Sequence, residues 1–205
     1  MANIVGVATS RRTPDPAARQ RDADRTQAAL LDAAQVEFAA KGLAGARVSE
    51  IAARAGVNKQ LISYYFGGKN GLYDAILQRW HAQEQDLARP ELALPDVVLG
   101  YLHTGIRQRD LQRMFVRECL DEDISQVISE PDAPEIEDLR RRQRDGELAD
   151  ELDPAFVLLA LQAIVAAGVV FPRDVKRYLG LEPDSPEYES HAAEQLRRIL
   201  RRLAP

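Results

Sequence analysis

The sequence predicts an all-α protein with an N-terminal domain of short helices and a larger helical C-terminal body. Apolar residues recur at spacings of three and four along most of the chain, and no stretch alternates apolar and polar residues over the length of a strand. Prolines and glycines fall between these periodic segments, where helices begin and end. The 205 residues are 45% apolar, which is enough for one or two domains with hydrophobic cores.

The front of the chain reads as three elements followed by a longer helix. The first helix begins at Asp24, repeats its apolar residues at three and four, and stops at Gly42. Two short segments follow, with Gly56 between them. The pair Gly67-Gly68 separates the second segment from the longer helix. Their predicted bounds are Val48 to Ala55, then a segment ending near Phe66, then Lys69 to about Arg89, which Pro90 ends.

The remainder of the chain also reads as helical. Asp153-Pro154 and Ser185-Pro186-Glu187 are strong helix starts, because aspartate and serine cap a helix and proline suits its first position. Two proline-bounded turns divide the segments before them. The predicted helices are 96–108, 110–128 with a break near 121–123, 135–148, one that opens at 153–154 and carries the apolar run 156–171, and a last helix that opens at 185–187 and ends near Leu203.

Charge divides the chain at about residue 80. Residues 1–80 carry 11 Lys and Arg against 7 Asp and Glu, whereas residues 81–205 carry 16 against 25. A basic N-terminal part joined to an acidic C-terminal part indicates that the N-terminal part binds a polyanion. We expect residues 1–22 to be a flexible basic arm, residues 23–80 to be the front domain with the start of the connecting helix, and residues 81–205 to be the C-terminal domain. The arm holds Arg11, Arg12, Arg19 and Arg21.

Several classes of protein are excluded by what the chain lacks. A single cysteine, Cys119, leaves no disulfide framework or cysteine-rich zinc site, and His81, His103 and His191 have no metal-ligand spacing. No serine elbow or glycine-rich phosphate loop is present, so we expect no enzyme activity, no cofactor and no metal. The chain has no apolar run long enough for a membrane span, and its start is the reverse of a secretory signal. These features predict a cytoplasmic protein without a membrane partner.

The two short segments form a predicted helix-turn-helix. Helices of about seven residues do not persist alone, so tertiary packing must hold them. Gly56 permits a left-handed turn between them, Val57 fills the corner, and Asn58 caps the second helix. Each helix has an apolar face for the core, made by Ile51, Ala52 and Ala55 in the first and by Ile62 and Phe66 in the second.

Burial of Ile62 and Phe66 turns the polar side of the second helix outward. Lysine can donate to guanine, glutamine can bridge adenine, and serine is adaptable, so this face suits base edges. Three positions stay open, because Leu61, Tyr64 and Tyr65 can either contact DNA or pack inside the domain. The candidate base contacts are Lys59, Gln60, Ser63 and Tyr64, and the candidate phosphate contacts are Tyr65 and Lys69.

These residues resemble the DNA-binding domain of the TetR family of bacterial transcription regulators. The resemblance covers about Thr26 to Trp80. It rests on Glu50-Ile51-Ala52, Gly56-Val57, Tyr64-Tyr65-Phe66, Lys69 and Leu72. It implies a second short helix in the major groove and a C-terminal domain that forms the dimer and holds a small-molecule pocket. Arg47 and Ser63 depart from the common pattern, which often has a hydroxyl residue and a tyrosine there. The DNA-binding residues are predicted as Arg47, Ser49, Asn58, Lys59, Gln60, Ser63, Tyr64, Tyr65 and Lys69.

The implied pocket and dimer interface are assigned to apolar stripes of the C-terminal helices. For the dimer, the alternative is that both stripes are monomer core. We predict a pocket lined by Leu99, Leu102, His103, Ile106, Met114, Phe115, Cys119 and Phe156. We predict a dimer interface of Leu159, Ala160, Ala163, Ile164, Ala167, Leu196, Ile199, Leu200 and Leu203.

The sequence therefore predicts a homodimeric repressor that binds a palindromic double-stranded operator and is released by a small hydrophobic effector. The long helix from Lys69 is the predicted link between DNA and pocket, since it runs without proline or further glycine after Gly71. The alternative is a small-molecule-binding helical protein or enzyme that no longer binds DNA.

Overall fold

The computed structural model describes residues 16–205, which fold into ten α-helices with no strand between them. The predicted fold class is confirmed. A 3₁₀ turn, Ile124–Gln126, separates α6 from α7, and a single π turn, Val175–Leu179, continues α9. The helices are α1 Pro16–Gly45, α2 Val48–Ala55, α3 Gln60–Phe66, α4 Lys69–Leu87, α5 Leu94–Arg107, α6 Arg109–Asp121, α7 Pro134–Arg144, α8 Pro154–Val170, α9 Pro172–Asp174 and α10 Pro186–Leu203.

The prediction of a flexible arm over residues 1–22 is wrong for residues 16–22. Residues 16–22 are helical and continue into the helix that was expected to begin at Asp24. Proline at the first helical position and the alanines, arginines and glutamine after it all favour a helix. Gln20 also donates to Asp24 Oδ1 across one turn, at 2.8 Å. Arg19 and Arg21 therefore project from a helix, whereas Arg11 and Arg12 lie outside the described residues. The helix breaks at Gly42, as predicted, with φ of 69°.

Two hydrophobic clusters form the interior. The front cluster comes from α1 to α4, but it also contains two residues of α6, Leu111 and Met114. The rear cluster joins α5, α7, α8 and α10. Its buried members are Leu94, Val98, Leu99, Leu102, Leu139, Leu148, Val157, Leu161, Ala193, Leu196 and Leu200.

One arginine of α7 is part of the interior. Arg142 is 1% exposed. Its Nε donates to Asp138 Oδ2 at 2.7 Å, and its Nη1 donates to Glu147 Oε2 and to the carbonyl of Leu92, both at 3.0 Å. A buried guanidinium needs such partners, and this one joins α7 to the connection before α5. Periodicity could not distinguish it from its exposed neighbour Arg144.

The helix α8 is apolar on every side except at Gln162. Part of its surface is nevertheless exposed, including Phe156 at 71% and Leu159 at 63%. Within residues 16–205, no single helix has the length and apolar composition to cross a membrane. The pair Pro154–Val170 and Pro172–Leu179 meets that test only jointly, across a 73° bend.

Both predicted proline-containing helix starts are confirmed. Asp153 Oδ1 accepts the backbone N–H groups of Ala155 and Phe156 at 2.8 and 3.2 Å, and Ser185 Oγ accepts that of Tyr188 at 3.1 Å. These caps satisfy donors that the first helical turn leaves free.

We expect Asp153→Ala to lower the free energy of unfolding by about 1 kcal/mol, because it removes the cap of α8. Urea denaturation followed by circular dichroism measures the change. Asp150→Ala is the matched control, since Asp150 is exposed and caps no helix. Equal effects of the two substitutions would contradict a capping role.

Candidate functional site

The turn between α2 and α3 has the geometry that the sequence predicts. Gly56 ends α2 with φ of 68° and ψ of 28°, a left-handed conformation that favours glycine. Val57 packs against the front cluster. Asn58 Oδ1 accepts the backbone N–H of Gln60 at 2.9 Å and so caps the start of α3. The helix-turn-helix is therefore held by one glycine, one apolar corner residue and one side-chain cap.

The core contacts of α3 set which of its faces is free. Ile62 is 1% exposed and belongs to the front cluster, and Phe66 packs against that cluster. The opposite face presents four exposed side chains to solvent. They are Lys59, Gln60, Ser63 and Tyr64, all predicted to contact bases.

The structure shows whether each of the three undecided side chains of α3 is exposed or packed against the core. Tyr64 is 78% exposed, so it does not pack on α1. Tyr65 and Leu61 are half-buried against the front cluster. The rings of Tyr64 and Tyr65 meet edge to face, with centroids 4.8 Å apart, so the half-buried ring supports the exposed one.

A close backbone approach sets the direction of α4 after α3. A Cβ atom at Gly71 would lie 1.8 Å from the carbonyl oxygen of Phe66, so only glycine fits there. No structural role was assigned to Gly71 from the sequence. It is the contact that lets the start of α4 lie beside the end of α3.

Lys69 joins α4 to the end of α1. Its Nζ donates to the carbonyl oxygens of Ala44 and Ala46 at 3.1 and 3.3 Å. An ammonium has three donors, so these bonds leave one for a phosphate oxygen. The predicted phosphate residue thus also bridges two chain segments of the front domain.

A buried carboxylate that sequence reasoning missed organises the junction of α1 and α2. Glu37 is 3% exposed, and its Oε1 accepts Lys41 Nζ at 2.7 Å and the backbone N–H of Arg47 at 3.4 Å. The hydrogen bond from Lys41 lowers the pKa of the Glu37 carboxyl, against the effect of burial. Arg47 and Ser49 are exposed at the start of α2.

A cavity of about 1370 Å³ lies between α4, α5, α6, α7 and α8. Its wall includes three aromatic rings, with the Trp80 ring centroid 6.1 Å from that of Tyr101 and 5.7 Å from that of Phe115. Aliphatic side chains, arginines, carboxylates and amides form most of the rest of the lining, which includes Glu84, Gln108 and Gln112.

The predicted pocket residues do not come together around this cavity. Of the eight, Phe115 is the one that lines it. Leu99, Leu102 and Met114 are buried in the clusters, and Ile106 packs against the rear cluster. An apolar position on an amphipathic helix faces a core or a cavity with the same periodicity, so the sequence could not separate the two.

Three further pocket predictions are corrected by their surroundings. His103 Nδ1 lies 2.7 Å from Glu189 Oε1, which also accepts Arg107 Nη2 at 2.9 Å, so His103 joins α5 to α10. Cys119 is exposed near the end of α6 rather than buried. Phe156 lies on the exposed side of α8.

The predicted interface residues divide between the monomer core and the surface. Leu196 and Leu200 are buried in the rear cluster, while Ile164 and Leu203 pack against it. Ala167 is half-buried. The exposed members are Leu159, Ala160, Ala163 and Ile199, and exposed Phe156, Val170 and Phe171 accompany them at α8 and its end.

The cavity and the front domain share two helices. Trp80 and Glu84 of α4 line the cavity, while Leu72 and Ile76 of the same helix are buried in the front cluster. On α6, Phe115 lines the cavity next to Met114 of the front cluster. The predicted link between the front domain and the cavity along α4 is therefore accompanied by a second link along α6, which was not predicted from the sequence.

A polar contact reinforces this second link. Tyr73 of α4 lies beside Glu118 of α6, and its ring meets Phe38 of α1 edge to face at 5.2 Å. Burial raises the pKa of the Tyr73 hydroxyl, and Glu118 raises it further. The hydroxyl thus stays protonated and available as a donor.

Comparison with known proteins identifies the family. The sequence model described as "Bacterial regulatory proteins, tetR family" matches residues 30–76. The HTH-type transcriptional repressor SCO4008 of Streptomyces coelicolor is 31% identical over 168 residues, covering 78% of this chain and 85% of that protein. The chain belongs to the TetR family. It is a transcriptional regulator and not an enzyme.

Solved structures agree with the fold. SCO4942 from Streptomyces coelicolor aligns with a TM-score of 0.66 at 24% identity, covering 85% of this chain and 97% of that one. The TetR family protein CprB from S. coelicolor A3(2) aligns with a TM-score of 0.58 at 18% identity, covering 86% and 98%. The architecture of a TetR-family regulator thus extends beyond the front domain into the C-terminal body.

We expect Glu37→Gln to destabilise the protein near neutral pH by about 1–3 kcal/mol, because it weakens a buried, charge-assisted hydrogen bond. Since the folded pKa of Glu37 is lowered, its stabilisation is complete above the ordinary value of 4.5 and is lost as pH falls through the folded pKa. The difference between the native protein and the variant in urea unfolding should therefore shrink below about pH 4.5. Glu50→Gln, at an exposed glutamate of α2, is the control. A difference that persists unchanged in acid would contradict this account.

Proposed function

We propose that the protein is a cytoplasmic homodimeric repressor that binds a palindromic operator and is released by a small hydrophobic effector. The observation that supports this most directly is the exposed face of α3. Its polar residues project from a helix whose other face, at Ile62, is in the core. A rigidly held helix with a polar outer face is suited to the major groove.

The residues at the start of α3 supply the proposed base contacts. Lys59 donates to guanine O6 or N7, and Gln60 pairs with adenine N6 and N7. Ser63 lies one turn further along the same face, and Tyr64 beside it adds an exposed phenol. Recognition helices place their N-terminal residues on base edges, which is where these side chains lie.

The flanking residues supply the proposed phosphate contacts. Arg47 and Ser49 are exposed at the start of α2, and Tyr65 lies at the edge of the α3 face. Lys69 keeps one donor after its bonds to the carbonyls of Ala44 and Ala46. Such contacts orient a protein on the duplex without reading sequence.

The exposed part of α8 supports a homodimer. A helix that is apolar on all sides is normally covered on all sides, yet Phe156 and Leu159 are mostly exposed. A second copy related by a twofold axis covers this surface with its own α8. The proposed interface is Phe156, Leu159, Ala160, Ala163 and Ile199, without the predicted Leu196 and Leu200.

The shared helices α4 and α6 support control by an effector in the cavity. Both carry residues of the cavity wall and residues of the front cluster, so a ligand that shifts either helix moves the DNA face. In a dimer the two recognition helices enter successive major grooves about 34–36 Å apart, and a small tilt disturbs this spacing. Linkage requires DNA and effector to weaken each other's binding by the same factor.

The test of this proposal is selection of bound sequences from random double-stranded DNA with the full chain. We expect an inverted repeat whose half-sites are separated by about one helical turn, 10–10.5 base pairs. A single unrepeated site would contradict the dimer. No selective enrichment at moderate salt would favour the alternative, a helical ligand-binding protein without DNA binding.

We expect Lys59→Ala and Gln60→Ala each to cost about 1–3 kcal/mol of operator affinity and to relax preference at particular base pairs. Lys69→Gln, which keeps a donor for the carbonyls but removes the charge, should weaken all sequences alike. It should also lower the slope of log affinity against log salt by about one. Fluorescence anisotropy over a salt series measures both effects. Altered base preference in the Lys69 variant alone would show that α3 is not the reading helix.

We expect Leu159→Glu to convert the dimer to a monomer and to abolish operator binding at concentrations where the native protein binds. Leu120→Glu is the matched control, because Leu120 is also an exposed leucine, at 80%, but lies on α6. Sedimentation velocity measures the mass, and circular dichroism checks that both variants fold. A dimeric Leu159 variant would place the interface elsewhere.

A further inference from the structure

The aromatic end of the cavity has the geometry of a cation-binding surface. Trp80 of α4 stands between Tyr101 of α5 and Phe115 of α6, with interplanar angles of 56° and 58°. The three rings therefore do not stack face to face on one another, and part of their surface lies on the cavity wall. The face of an aromatic ring attracts a positive charge, and a Trp face does so most strongly.

A carboxylate stands beside these rings. Glu84 lies one helical turn after Trp80, and its Oε1 accepts the hydroxyl of Tyr101 at 3.0 Å. Its Oε2 lies 3.4 Å from Nδ1 of His81. Within the described part of the chain, no lysine or arginine pairs with Glu84. Its negative charge thus faces an aromatic surface without a fixed cation.

Two of the three arginines on the cavity wall, Arg141 and Arg144, are paired with carboxylates, whereas Arg89 has no carboxylate partner among residues 16–205. Arg141 pairs with Asp138 at 2.6 Å and with Asp145 at 3.0 Å. Arg144 pairs with Glu137 at 3.3 Å. Arg89 lies beyond the end of α4, where its Nε donates to the backbone carbonyl of Asp86. The charged groups of α7 are therefore largely neutralised among themselves.

A second carboxylate, Glu135 at the start of α7, adds to the negative potential near the rings. It also lines the cavity and has no ion pair among residues 16–205. Burial raises the pKa of the Tyr101 hydroxyl, and the charges of Glu84 and Glu135 raise it further. Both glutamates therefore act on the same end of the cavity.

We propose that the cavity binds a lipophilic organic cation, with its apolar groups against Trp80, Tyr101 and Phe115 and its charge matched by Glu84 and Glu135. This inference rests on the proposed role of the cavity as the effector site and specifies the chemistry of the effector. A carboxylate covered by an apolar ligand loses hydration, and a cation replaces that loss whereas a neutral ligand does not. An anion of the same shape meets like charge.

Two ions of the same shape and opposite charge test the proposal on the full chain. Tetraphenylphosphonium and tetraphenylborate each carry four phenyl rings around one central atom. Trp80 is the single tryptophan of the sequence, so its fluorescence reports binding in the cavity directly. We expect saturable quenching by tetraphenylphosphonium, with at least tenfold weaker binding of tetraphenylborate. Equal or tighter binding of the borate, or no binding of the phosphonium, would overturn the proposal.

Charge-neutral variants locate the effect. We expect Glu84→Gln, which keeps an acceptor for Tyr101, to weaken tetraphenylphosphonium binding roughly five- to twentyfold and not to weaken the borate. Glu135→Gln should act in the same direction to a smaller extent. Glu91→Gln is the matched control, because Glu91 is exposed between α4 and α5 and does not line the cavity. Equal weakening of both ions by the Glu84 substitution would indicate structural damage and overturn the charge assignment.

The outcome is separable from that of the proposed function. If random-DNA selection yields an inverted repeat but the phosphonium does not bind, the regulator is supported and the cationic effector is rejected. If the phosphonium binds and no DNA is selected, the cavity chemistry is supported and the repressor is rejected.

Discussion

The packing of α6 into the front domain is the interaction on which the rest of the structure depends. Leu111 and Met114 are 4% and 2% exposed and belong to the same cluster as Ile51 and Ile62 of the helix-turn-helix. The front domain therefore does not complete its core from its own four helices. A helix of the C-terminal body, α6, completes this core, so any displacement of α6 changes the packing of α2 and α3. Because close-packed interiors respond to small changes in volume, this contact links the two domains more tightly than a flexible connection would.

Contacts within the front domain explain why one face of α3 is exposed to solvent and why the helix is held rigidly. Ile62 holds the short helix in the core, Asn58 caps it, and the absence of a side chain at Gly71 lets α4 begin directly beside its end. Lys69 then ties the start of α4 to the end of α1. Each of these contacts removes conformational freedom from the exposed face of α3, and preorganisation of this kind reduces the entropy lost when a surface binds a partner.

The cavity is lined in part by α4 and α6, the two helices that also contribute to the front cluster. Its aromatic rings come from three helices, and its carboxylates come from α4 and α7. Arg142 fixes α7 against the connection before α5, so the wall that carries Glu135 and Asp138 has a defined position. The arginines of α7 pair with carboxylates further along that helix and just after it, so Glu135 at the start of α7 has no ion pair among residues 16–205.

The sequence by itself determined the features that depend on neighbouring residues. Caps at Asn58, Asp153 and Ser185, the left-handed Gly56 and the helical periods are local, so the helix-turn-helix and the outward face of α3 could be predicted. Only the tertiary structure decided which partner each apolar face meets. Leu196 and Leu200 face the monomer core while Leu159 faces solvent, and Met114 completes the front domain while Phe115, the next residue, lines the cavity. Periodicity defines a buried face but carries no information about what covers it, since core, cavity and interface all bury apolar surface for the same reason.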